Sequence, residues 1–514
     1  MQTVSTSFAA NATSPIRKLA WRVDISFDKT FNASTEFFTI GSSAIGGTDV
    51  LKAADSDIVQ EWDKYEYTDY TDRVISFEWA HEEQPYNSVT LSYGMLTLDN
   101  TDDFFTQGSG SAVDGDVKPM RPVRLYVGFD NEVIPCFVGL TEDSGSVDEA
   151  SKTVTFKLVG FLQTLFNRYL EEETLLQNKR TDEVLEQVFQ SAGLLAGQYQ
   201  FDSGYNLIKF VVLQKRARLG DTVMKLIEAE MGRLYIDELG VLTFKNRQSY
   251  NDTVRQEFSK HNIFILKRQD DDDIKNVIEL RGEVREVQED QDVGTLAQPL
   301  RVPAGGTADA WIEFLDPVTS IETPTRPADA ENSFFRVYPN EDGTGTENTT
   351  DVTLSSSSLF TKSYKMTFSN AAAVPLFVTQ VRLFGTPARV IDNILVKQVD
   401  QASVDDYDER PLVIENEYFQ DQDQTNSKAI ILLRDYAQYV PIERMEVVAN
   451  PALQIGDTVR VHNESITRDY VITKIQGILS HNRLRQILDV KQYIRETYFT
   501  IGSSEIGGTD KLAP

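Results

Sequence analysis

Four histidines, one cysteine and 79 acidic side chains are the raw material for chemistry in this 514-residue chain. The histidines, His81, His261, His462 and His481, are scattered, and no pair has the close spacing that sets two imidazoles on one metal ion. None adjoins Cys136, so the sequence offers no thiolate–imidazole couple. Cys136 stands in VIPCFVG, an apolar setting that predicts a buried and inert thiol. Asp270–Asp273 would attract a cation, but the run lacks the alternating ligands and turn glycine of a calcium loop. It reads as an acidic surface turn. Asn340-Glu341-Asp342-Gly343-Thr344-Gly345 reads as a tight turn for the same reason. There is no phosphate loop, dinucleotide fingerprint or nucleophile elbow, and no Asp/Glu pair is singled out for glycoside hydrolysis. These residues predict no catalytic group, no cofactor and no metal site.

A repeat carries more information. Phe37–Leu51 reads FFTIGSSAIGGTDVL and Tyr498–Leu512 reads YFTIGSSEIGGTDKL, with twelve of fifteen positions identical across a separation of 461 residues. One pair, far apart, is not a solenoid. Each copy has an alternating apolar start (Phe38 and Ile40; Phe499 and Ile501) and a break at Gly41 or Gly502. An Ile-Gly-Gly-Thr-Asp turn follows (Ile45, Gly46, Gly47, Asp49; Ile506, Gly507, Gly508, Asp510), ending on Leu51 or Leu512. The glycines imply positive φ or close backbone approach. Two readings compete: stiff hairpins that pack on their own domains, or two docking elements for one kind of receiving surface. On the second, Ala44/Glu505 and Val50/Lys511 would face solvent.

The elements around these residues are mostly strands. IRKLAWRVDISF, RVISFEWAH, SVTLSYGMLTLDN, RPVRLYVGF, VIPCFVGL and KTVTFKLVGF show period-two patterning between Asp/Gly/Ser turns, which predicts an all-β barrel or sandwich over 1–167. Residues 168–260 read as a small α+β unit. Its first helix opens at Thr181 with Val184, Leu185, Val188 and Phe189 on one face, and a second opens at Asp221-Thr222 and ends at Gly232. Strands return over 261–299 and over 401–497, the latter stretch also holding a helix at 424–439. Residues 300–400, rich in Thr, Ser, Pro and Gly, read as a β insertion. The expected class is mainly β with a small α+β part.

Composition narrows the function classes. A net charge of −29 repels phosphates and argues against specific nucleic-acid binding. The bland meaning is solubility; the sharper one is the wall of a conduit that must not hold passing DNA. One cysteine excludes a disulfide framework within the chain, and no signal peptide or apolar run of about 20 residues is visible. Synthesis in a reducing cytoplasm fits, with release by a route other than secretion, such as lysis.

Several stretches together resemble the tail hub (baseplate hub, tail-associated) proteins of tailed bacteriophages. RVISFEWAHEEQPYNSVTLSYGMLTLDNTDDFFT, with Leu98-Asp99-Asn100 at its turn, is similar to their opening barrel, and GLTEDSGSVDEASKTVTFKLVGFLQTLF to the hairpin that closes it. TDEVLEQVFQSAGL and EMGRLYIDELGVLTFKNR resemble the elements that follow. NPALQIGDTVRVHN and DYVITKIQGILSHNRLRQILDV resemble the second barrel, with Gly456-Asp457 at its turn. The resemblance spans most of the chain, each motif being weak alone.

It implies two tube-like β-barrel domains: 1–167, carrying the first repeat copy, and 261–299 plus 401–497. Between them lie the connecting unit at 168–260 and an outward β-sandwich-like insertion at 300–400, and 498–514 forms a repeat tail. It further implies a homotrimeric ring of six barrels in the virion tail tip, passing the genome and tape-measure protein. Its partners would be a distal tail or tail-tube ring protein and tail fibre or receptor-binding proteins, with the host envelope reached indirectly. The chain stops some twenty residues after the second barrel, which implies the version without a C-terminal peptidase or muramidase. Three chains would display six repeat copies to a six-fold neighbour. Two other classes stay open. The insertion would grip host-surface glycan if Trp311, Phe334 or Phe335 were exposed, although their strand context predicts core packing. A cell-wall hydrolase is the third class.

Overall fold

The computed structural model describes residues 2–14, 17–28, 65–84, 89–171, 173–247, 253–269, 274–325, 332–437, 442–463 and 466–492. Both repeat copies and Asp270–Asp273 lie outside the described residues. The fold is mostly β.

Alternation builds the first strand unit. In Val74–Glu83 the side chains of Phe77 and Trp79 turn inward, and in Thr90–Asp99 those of Leu96 and Leu98 do so, so each strand lends one face to a shared core. Strands Leu19–Ile25, Pro122–Phe129, Glu132–Thr141 and Thr153–Gly160 complete it, and the core is dense in aromatics: Phe27, Phe77, Phe105, Phe129, Phe137 and Phe156. A second unit collects Val254–Ser259, Ile263–Gln269, Ile442–Val447, Thr458–Asn463, Ile466–Ser480 and Arg483–Gln492 around Phe258, Met445, Val459, Ile472 and Val490. The two units share one 14-stranded sheet.

Between them sits the α+β unit. Thr181–Ser191 is a helix whose buried face is Thr181, Val184, Leu185, Val188 and Phe189, the spacing that one side of a helix requires. Its N-terminus is closed by Glu183, which accepts the Arg180 backbone N–H at 2.9 Å, and the chain leaves through Gly193 at φ 91°. The next helix is Leu219–Glu230, starting two residues before the expected Asp221, with Met231 rather than Gly232 in the left-handed cap position. Three short helices, Thr6–Thr13, Phe161–Phe166 and Gln401–Tyr407, have no counterpart among the expected elements. The helix expected at 424–439 spans Gln422–Tyr436.

The largest departure from the expected layout concerns 277–299 and 401–436, which the sequence reading gave to the second barrel. Strand Val277–Val287 pairs with the long strand Leu376–Val399 on one side and with Pro411–Glu415 on the other, in a sheet separate from the 14-stranded one. Ile278, Leu280, Ile394, Val396, Ile414 and Leu432 all join the core that holds Val188, Phe189 and Ile227. The physical reason is the 24-residue strand itself. Its first half carries the insertion's strands Gln291–Thr295, Leu300–Val302, Val318–Ile321 and Phe334–Tyr338, while its second half continues into the α+β core. Local patterning marks a strand but not which sheet takes it. The rest of the insertion, Thr307–Glu313, Val352–Phe360 and Ser363–Asn370, forms a three-stranded sheet. Its inner face, with Ile312, Tyr364, Met366 and Phe368, packs on Phe335, Val337, Val378 and Leu383 as the second layer of a sandwich.

Candidate functional site

The joint between the two strand units is a backbone seam. Strand Ile466–Ser480 runs antiparallel to Val74–Glu83 in continuous register from Lys474↔Glu82 to Ser480↔Ser76. At its centre the indole of Trp79 lies over Gly477, its register partner, and the next strand also presents a glycine, Gly94, opposite Trp79. The side chain of Leu479 enters the first unit's core. Lys474 Nζ donates to Glu82 Oε2 at 2.7 Å, and Gln476 donates to Glu78. The N-terminal segment adds a clasp: Gln2 N donates to Ala452 O at 2.8 Å, and the Arg17 guanidinium donates to Ala449 O.

One end of the sheet is an apolar edge. Strand Ile263–Gln269 pairs with Ile442–Val447, and among the described residues no strand pairs with its other side. Three consecutive large apolar residues there are exposed: Phe264 at 66%, Ile265 at 45% and Leu266 at 39%. Alternation would have hidden every second one. An unpaired edge of this kind is a template for another chain unless it is covered. HNIFILKRQ at 261–269 opens the stretch 261–299 expected to return to strands, and its unbroken IFIL run is the signal that neither face nor edge is ordinary.

The residues examined for chemistry resolve into structural parts. His81 is partly buried with both ring nitrogens committed, Nδ1 to Ser92 Oγ at 2.7 Å and Nε2 to Cys136 O at 2.8 Å, and burial lowers its pKa. Cys136 is buried, and desolvation pushes its thiol up, away from the reactive thiolate. His462 lies between Thr467 and Glu257, His481 meets Ser480, and His261 is exposed in a turn. Beside His81, a small cavity is lined by Thr90, Gln163, Asp237 and Glu238. Burial raises Glu238 to about 7, and its carboxyl accepts from Gln454, tying the 237–241 turn to the second strand unit. The Asn340–Gly345 segment is a turn, with Asp342 Oδ1 accepting from Thr344 N at 3.0 Å. Among the described residues no three His, Cys, Asp or Glu side chains are grouped to hold a metal ion, and no helix is long and apolar enough to cross a membrane.

The docking residues read from the repeat, Phe38 to Leu51 and Phe499 to Leu512, lie outside the described residues. Of the three insertion aromatics, Phe334 and Phe335 are buried, as their strand context predicts. Trp311 is not: it is 53% exposed, because its neighbours Ala310 and Ile312 hold the inward positions of that strand.

No protein-family model and no curated protein matches the sequence. Solved structures do. A 43 kDa tail protein of prophage MuSo2 from Shewanella oneidensis shares 9% identity, covering 83% of this chain and 95% of its own, at TM-score 0.45. A tail protein from Neisseria meningitidis shares 7% over 84% and 94%, at 0.44. Prophage tail protein gp18 from Listeria monocytogenes shares 12% over 84% and 93%, at 0.41. These three structural neighbours are phage tail proteins. They are similar to this chain in fold.

Proposed function

We propose that this chain is a structural hub of a phage tail tip, placed in the virion and built in the host cytoplasm. In this reading it forms a ring that joins the tail tube to tip proteins and lets the genome pass. The observation that carries the reading is the single sheet made from two strand units far apart in sequence, ending on an unpaired apolar strand. A rigid seam makes the two units one body, and an edge that cannot stay in water calls for a neighbour. A second copy of the chain, added head to tail, satisfies the edge, and closure after three copies gives a homotrimer with six strand units around a lumen. The strongly acidic chain suits a lumen through which DNA slides without adhering. Its partners would be a tail-tube or distal tail ring protein, the tape-measure protein, and fibre or receptor-binding proteins. The role involves no catalytic step.

Negative-stain electron microscopy and mass photometry test this. The expected particle is a three-fold ring with a central channel, and Phe264→Glu with Leu266→Glu is expected to shift it to monomer with an unchanged circular dichroism spectrum. Another symmetry, or a charged edge that assembles normally, would overturn the reading. The repeats supply a separate test: virions lacking 498–514 should lose occupancy of the distal ring or fibres. Full occupancy would sink the idea that the repeats are docking tags.

A further inference from the structure

We propose that the outer face of the three-stranded sheet in the insertion is a saccharide-binding site, with Trp311 and Phe360 as its stacking platform. This goes beyond the hub reading and does not depend on it. The platform is built rather than incidental. Trp311 and Phe360 sit on the two edge strands, and their rings meet over the middle strand with centroids 5.6 Å apart and planes at 22°. They remain 53% and 38% exposed, on a face that is otherwise polar.

Lys365, the register partner of Trp311, holds its Nζ 5.7 Å from the indole centroid and 2.8 Å from Asp309 Oδ2. The other oxygen of Asp309 accepts from Thr367 Oγ1 at 2.8 Å, so the polar frame beside the rings is fixed before any ligand arrives. Ser358 occupies the register position across from Lys365 on the third strand.

The chemistry of this face selects its occupant. An aromatic face attracts the partly positive C–H face of a pyranose, and fixed hydroxyl, ammonium and carboxylate groups meet its ring hydroxyls. The two rings expose roughly 200 Å² together, judged from the area of whole aromatic side chains. That suits one or two sugar rings and falls well below the ~800 Å² per partner of a stable protein interface. Asp309 and Glu313 on the same strand, and the acidic balance of the chain, disfavour polyanions such as nucleic acid or an anionic membrane. The ligand class is therefore a neutral hexose polysaccharide.

The full chain is to be probed on an array of neutral hexose oligosaccharides and bacterial-surface polysaccharides, with calorimetric titration of the best binder. Wild type is expected to bind saturably, Trp311→Ala and Phe360→Ala at least tenfold more weakly, and Trp311→Phe within about threefold of wild type, all with the same melting temperature. No binding to any saccharide, or binding that both alanine variants leave intact, would overturn the proposal. So would a Trp311→Ala defect confined to self-association, which would assign the face to a second copy.

Discussion

Gly477→Ala is expected to open the seam between the two strand units at a cost of about 3 kcal/mol, the upper part of the range for overpacking a closed interior. A Cβ at that position would lie 2.1 Å from Trp79 Cζ2, 2.3 Å from Cη2 and 2.4 Å from Cε2, where real carbon contacts stay beyond about 3 Å. The indole has little room to yield. Trp79 is 4% exposed, contacts Phe77 edge-on at 6.1 Å, and faces Gly94 on its other side, where a side chain would meet Glu78 O at 2.8 Å. The seam must therefore separate or twist. Local hydrogen exchange is the direct measurement: 3 kcal/mol corresponds to exchange more than 100-fold faster over 74–83 and 474–480. The core strands of the insertion, 334–338 and 376–385, should keep their protection. Adding Trp79→Leu to the alanine variant removes the colliding ring and should restore at least half of the lost protection, a coupling that a double-mutant cycle reads out. Unchanged exchange at 74–83 in Gly477→Ala would mean that the two units are not joined through this contact.

That seam also marks the limit of what the sequence made legible. Period-two alternation located Val74–Glu83 and the strand ending at Ser480, because one buried face writes itself into neighbouring residues. It carried no sign that Trp79 would lie on Gly477, since a contact between residues almost 400 positions apart leaves no local trace. The same limit explains the misplacement of Val277–Val287, a well-marked strand whose partner is the continuation of the insertion's long strand. Trp311 is a different kind of failure. The pattern Asp309-Ala310-Trp311-Ile312-Glu313 already puts Trp311 with the two acids and against Ala310 and Ile312, and the structure follows that parity. Lying in a strand suggested core; parity within that strand said surface. Parity prevailed. Of the candidate docking residues, the repeat was plain in the text, while the exposed edge at Phe264–Leu266 had only an unbroken apolar run to announce it.

Parity acts in helical form at Lys428, where a large pH effect is expected. Helix Gln422–Tyr436 buries Thr425, Lys428, Ala429 and Leu432 along one stripe, so the lysine enters the core although its charge suggests water. Its Nζ donates to Asn206 Oδ1 at 3.0 Å and lies 5.2 Å from the ring centroid of Phe419. Beyond Asn206 the carboxylate of Glu230 accepts from Thr181 Oγ1, Tyr205 N and Asn206 N, while Arg247 and Asp421 complete the charges acting on the lysine. Desolvation dominates and lowers Lys428 from its ordinary 10.5 to about 7. The sign follows from proton counting. Below pH 7 folded and unfolded chains both hold the proton, and the folded state bears the whole cost of burying it. Between pH 7 and about 10.5 the unfolded chain binds more protons, so stability rises with pH across that window. Lys428→Met keeps the volume and removes the charge. At pH 6 it should be more stable than the parent by about 4 kcal/mol, the desolvation cost less about 1 kcal/mol for the lost hydrogen bond to Asn206. By pH 10 the advantage should have vanished, and comparing variant with parent at each pH cancels the titration of every other group. The check is protection from hydrogen exchange in helices 181–191, 219–230 and 422–436 at both pH values. An advantage of the same size at pH 6 and pH 10 would show that the buried ammonium is not what strains this core, and a methionine variant less stable at pH 6 would show that the charge holds the three helices together.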